Sequence, residues 1–83
     1  MPANPFVKLP KTVVTFSSTA DAMQMETVAH DKKLPGRIIP VPSEIDAGCG
    51  LAWSCERGQT DALLAGIKAY GLACEGVFEV ELF

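Results

Sequence analysis

Eighty-three residues with 48% apolar and 20% charged side chains describe a single globular domain with one thin core. The net charge of −3 offers no basic field for nucleic acid. No apolar run approaches the ~18–20 residues that would span a bilayer.

Met1 to Lys11 carries Pro2, Pro5 and Pro10 and reads as an extended arm, with one domain from Thr12 to Phe83. The arm has no apolar stretch of the signal-peptide kind, so the expected compartment is the reducing cytoplasm. There, three cysteines are expected as thiols rather than as a disulfide framework.

Thr12-Val-Val-Thr-Phe16 is β-branched and aromatic, the composition of a strand. Ser18 with Asp21 three residues on marks a helix start, and the helix should run to about Lys33. Its buried stripe has two candidate settings, one through Ala20, Met23, Thr27 and Val28 and one through Met25 and Ala29. Pro35-Gly36 stops it. Arg37 to Val41 reads as a second strand, and Pro40 and Pro42 assign it to a sheet edge because proline cannot donate to a ladder. Ser43 to Gly50 is a loop holding Gly48-Cys49-Gly50, followed by a third strand from Leu51 to Cys55.

After a turn at Glu56-Arg-Gly-Gln, Thr60 to Tyr70 reads as a second helix with Leu63, Leu64, Ile67 and Tyr70 on one side. Gly71 suits the position after its end and Leu72 the contact that follows. Val77 to Phe83 closes the chain as a strand in which Phe78, Val80 and Leu82 alternate with Glu79 and Glu81, the glutamates forming its wet side.

The order β-α-β-β-α-β predicts an α+β, ferredoxin-like split fold: a four-stranded antiparallel sheet of order 4-1-3-2 with two helices on one face. The other face, lined by Val13, Thr15, Ala52 and Ser54, should stand open, which leaves a homodimer through this face or a sheet edge as the expected association.

This topology collects the end of strand one, the start of helix one and the strand two–three loop at one end of the sheet. Cys49 is then expected near Ser17, Ser18 and Thr19. A thiol facing unpaired helix N–H groups has its thiolate favoured. Gly48 and Gly50 leave its sulfur uncovered. Cys55, on the apolar side of a strand, reads as packing. Cys49 should therefore alkylate faster than Cys55 or Cys74. No C-x-x-C spacing is present, so no metal is expected, and no cofactor is implied. His30, near the far end of helix one, cannot pair with Cys49 as a dyad.

Three segments carry a resemblance. Thr12-Val-Val-Thr-Phe16-Ser17-Ser18-Thr19, then Pro40-Val41-Pro42 through Gly48-Cys49-Gly50-Leu-Ala, then Glu75-Gly76-Val77-Phe78 resemble the selenium/sulfur carrier-like family of small bacterial proteins over about Thr12 to Val80. Members usually show an Arg after the second Pro and Ser residues before the Cys. Here Ser43 and Asp46-Ala47 stand in those places, and the added negative charge opposes a strongly acidic thiol. The resemblance implies that Cys49 holds sulfur or selenium, as a persulfide or selenosulfide, for transfer between a donor and an acceptor protein. It implies a carrier, not an enzyme. The alternative reading is a ferredoxin-like regulatory or protein-interaction module without thiol chemistry.

Overall fold

The computed structural model describes residues 9–42, 45 and 50–82. β1 (Leu9–Thr15), α1 (Thr19–Lys32), β2 (Arg37–Pro40), β3 (Leu51–Glu56), α2 (Thr60–Ala69) and β4 (Gly76–Leu82) follow in the expected order. The four strands form one antiparallel sheet of order β2-β3-β1-β4, the same as 4-1-3-2 reversed. β2 lies at an edge, where Pro40 costs no ladder bond. β1 starts earlier than expected. Leu9, Pro10 and Lys11 pair with Leu82, Glu81 and Val80, so these three residues of the proline-bearing arm belong to the sheet. Among the described residues, no helix is long and apolar enough to cross a membrane.

Local signals place the helix ends. Ser18, in extended backbone, caps α1 by accepting from Asp21 N–H at 3.2 Å. The helix closes on Lys33 in the left-handed region at φ 56, with Leu34 N–H reaching back to Ala29 C=O at 2.9 Å. α2 ends in a Schellman arrangement: Leu72 N–H meets Ile67 C=O at 3.0 Å and Gly71 N–H meets Lys68 C=O at 3.3 Å.

The main core lies between the helices and one face of the sheet. Val14, Phe16, Trp53 and Cys55 meet Ala22, Met25 and Ala29 of α1 and Leu63 and Ile67 of α2. Each large apolar side chain buried here contributes about 1.5–3 kcal/mol. The α1 stripe takes the second of its two expected settings, and the α2 stripe differs from the expected one. In α1 the buried set is Ala22, Met25 and Ala29, and Met23 is exposed. In α2 it is Leu63, Gly66 and Ile67, whereas Leu64 and Tyr70 reach solvent. Helical rows at i, i+3 and i+4 admit either setting, and the fit against Trp53 and Leu34 selects one.

The opposite face is largely covered. Val13, Thr15 and Ala52 are fully or almost fully buried and Ser54 is 7% exposed. Ile45, from the loop before β3, packs there with Val13 and Ala52, joined by Ile39, Val41 and Val80. β4 contributes to this second cluster because Val80 pairs with Lys11 and Phe78 with Val13, which puts both on the face away from the helices. Glu79, opposite Thr12, lies on the helix side and meets Arg57 at 3.8 Å. The face expected to stand open is thus largely covered within one chain, and the sheet edges are unaffected by this.

Candidate functional site

The register gathers four chain segments at one end of the sheet. Thr15 of β1 stands opposite Ala52 of β3 and Gly76 of β4, and Pro40 of β2 stands opposite Leu51. Phe16-Ser17-Ser18 therefore leave β1 toward α1 where Gly50 enters β3 and Glu75 enters β4. Glu75 N–H donates to Thr15 C=O at 2.7 Å and secures the last of these entries.

The loop before β3 is tied at its base and at an interior point. Val41 N–H donates to Gly50 C=O and Ile45 N–H to Pro42 C=O, each at 3.0 Å. Ile45 is 8% exposed. The sequence reading missed this anchor, although an apolar residue between Glu44 and Asp46 in a polar loop was its signal. Gly50 holds φ 76, the left-handed region that glycine enters without a Cβ clash, and opens to solvent. Of the expected site, Gly48 and Cys49 lie outside the described residues. Gly50, Ser17, Ser18 and Thr19 are described, and all four lie at this end.

The helix start differs from the one expected in its charge. Ser17 Oγ donates to Asp21 Oδ2 at 3.3 Å, which holds a carboxylate in the first turn of α1. An N-terminus attracts an anion by about 0.3–1 kcal/mol when exposed. Asp21 already meets part of that field, so a thiolate arriving there gains less than it would from an uncharged first turn.

The two described cysteines separate cleanly. Cys74, two residues before β4, is free and exposed. Cys55 is free and buried against the helices. Burial pushes its thiol pKa up, whereas the hydrogen bond with Thr60 and the charge of Lys11 pull down and Glu56 pushes up again. A raised pKa means less thiolate at neutral pH. Cys55 should alkylate more slowly than Cys74 in folded protein at pH 7, by peptide-resolved iodoacetamide labelling. Equal rates would show that the β3 side of the core opens freely.

Among the described residues, no group of three or more His, Cys, Asp or Glu side chains is placed to hold a metal ion. His30 is exposed in the last turn of α1, away from the loop.

No curated protein matches the chain, and no solved structure matches it. One family model does. The family described as Putative Se/S carrier protein-like matches residues 11–79, from β1 through both helices and the loop before β3 into β4. That span covers most of the 83 residues, and the chain belongs to this Se/S carrier protein-like family.

Proposed function

We propose that this protein carries sulfur or selenium on Cys49 and hands it to a partner protein. The observation that carries the reading is the family match, which runs through position 49 and the glycine that follows it. The convergence of Gly50, the capped start of α1 and the entry to β4 at one end of the sheet supports it, because a cargo-bearing sulfur needs approach from outside.

In the loading step the Cys49 thiolate attacks the terminal sulfane sulfur of a donor persulfide. A new S–S bond forms on Cys49, the donor's S–S bond breaks, and its electron pair leaves as the donor thiolate. Delivery is the same exchange in reverse, with an acceptor nucleophile taking the outer sulfur. A selenium atom travels by the equivalent Se–S exchange. No net oxidant is consumed. The role is transfer of a held atom rather than turnover of a substrate, and it needs a reducing compartment such as the cytoplasm, where Cys49 stays a thiol between loads.

The test is peptide-resolved mass spectrometry after incubation with a low-molecular-weight persulfide. The expected product has one added sulfur atom on the peptide containing Cys49, absent in Cys49→Ser and retained in Cys74→Ser. An unmodified Cys49 under conditions that load Cys74 would reject the carrier reading in favour of an interaction module.

A further inference from the structure

A cleft of about 320 Å3 opens on the sheet face away from the helices, at the end opposite Gly50. Its floor is Ser54, and its walls include Lys11, Arg37, Ile39, Glu56 and Gln59. The register explains why these meet. Arg37 of β2 stands directly across from Ser54, and Val13 of β1 stands on its other side. Lys11 and Glu56 form the next cross-strand pair on the same face. A small side chain at the centre, ringed by long ones, leaves a depression. Three strand steps separate Ser54 from Leu51, about 10 Å, so the cleft lies away from the entry to β3.

The polar groups here are under-used. Ser54 is 7% exposed, yet its hydroxyl has no hydrogen-bond partner among the described residues. It is reachable from the cleft, since no buried side-chain oxygen or nitrogen in the described structure lacks a partner. The Lys11 side chain is 20% exposed and meets Glu56 only at 4.0 Å, and that glutamate side chain is itself 73% exposed. Arg37 has no ion pair among the described residues. Because that hydroxyl meets solvent in the cleft, a ligand atom can take the place of the water it would otherwise bond. Two cations beside it define the sign of what would do so.

We propose that this cleft binds a small ligand through an oxyanion, either a carboxylate or a tetrahedral oxyanion. Arg37 and Lys11 pair with the charge, and Ser54 donates to one of its oxygens. The Gln59 amide and the Ile39 side chain meet the remainder of the ligand. The planar guanidinium of Arg37 suits two-point contact with either geometry.

The experiment is a titration of the full chain followed by amide chemical shifts, using sodium succinate, sodium acetate and sodium sulfate at ionic strength held constant with sodium chloride. The expected result is saturable shifts centred on Arg37, Ser54 and Gln59 with at least one of these anions. Saturation by succinate or acetate identifies the carboxylate form, and saturation by sulfate the tetrahedral one. Arg37→Gln should weaken that binding about tenfold or more, the loss of one charge-assisted hydrogen bond. Ser54→Ala should weaken it severalfold while preserving the dispersed spectrum of the folded chain. Shifts that never saturate, or that sodium chloride reproduces, would overturn the proposal. So would unchanged affinity in both folded variants. Neither outcome touches the persulfide chemistry of Cys49, which is read by a different assay.

Discussion

Phe16→Ala should remove a large share of the fold's stability. Phe16 has no solvent exposure and is the largest fully buried side chain among the described residues. It stands between the end of β1 and the cap of α1 and belongs to the cluster that joins both helices to the sheet. Truncation removes its transfer free energy and leaves a cavity, together about 3–5 kcal/mol for Phe→Ala in a core. Domains hold about 0.05–0.15 kcal/mol per residue, so a chain of 83 residues has roughly 4–12 kcal/mol in total. The substitution takes about a quarter of that at least. In a domain of this size each kcal/mol moves Tm by about 4–8 °C, so circular dichroism should record a fall of about 12 °C or more. Phe16→Leu, which keeps most of the volume, should lose much less. Similar melting of Phe16→Ala and the parent would mean that this end of the core repacks without cost.

Gly36→Ala should be comparably damaging, although the residue is exposed and lines the cleft without a side chain. Gly36 holds φ 109, a backbone conformation that side chains other than glycine seldom adopt. A Cβ there would lie 2.4 Å from the Ser54 carbonyl oxygen and 2.4 Å from Trp53 Nε1. The first of these is strand backbone and cannot rotate away. The second donates to Pro35 C=O at 2.8 Å, the bond that ties the turn between α1 and β2 to β3. Backbone strain of about 1–3 kcal/mol adds to a lost buried hydrogen bond of about 1–3 kcal/mol. A loss near 3–5 kcal/mol by urea titration is the expected result. Gly66→Ala supplies the contrast. Its added Cβ would meet the methyl ends of Leu34, at 2.5 and 3.0 Å, and those turn aside on a flexible side chain. Mid-helix alanine gains about 1 kcal/mol over glycine, so this variant should stay within about 1 kcal/mol of the parent. Equal stability of Gly36→Ala and Gly66→Ala would show that the α1–β2 turn relaxes freely.

Both substitutions bear on function through placement. Gly36 and Trp53 hold the start of β2 against β3, and Arg37 follows immediately to form a wall of the oxyanion cleft. Phe16 leads directly into Ser17 and Ser18, where α1 starts beside the entry to β3.

The parts of the fold legible in the sequence are those decided within a few residues. Ser18 caps α1 because its hydroxyl reaches a backbone N–H three residues on, whatever the rest of the chain does. Gly71 and Leu72 close α2 for the same local reason. Pro40 puts β2 at an edge by lacking a donor. Six pieces of regular structure punctuated by these markers then leave few ways to close one sheet, and the order 4-1-3-2 follows. The grouping of Ser17, Ser18, Thr19 and Gly50 at one sheet end came with that topology.

What tertiary structure decided is which face each side chain meets. The alternation of Phe78 and Val80 with Glu79 is plain in the sequence, but alternation is blind to direction. Pairing with Val13 and Lys11 turned the apolar side of β4 away from the helices. Ile45 then covered that face, so the expected open surface became a second cluster. Asp21, read from the sequence as part of a cap, became a charge at the helix start once Ser17 was seen to hold it. The cleft around Ser54 had no sequence signature, because Lys11, Arg37 and Ser54 come from three strands and meet only through cross-strand register. Local hydrogen-bonding chemistry acts over three or four residues and can be read along the chain. Register is set by the packing of whole elements and becomes visible only when they are assembled.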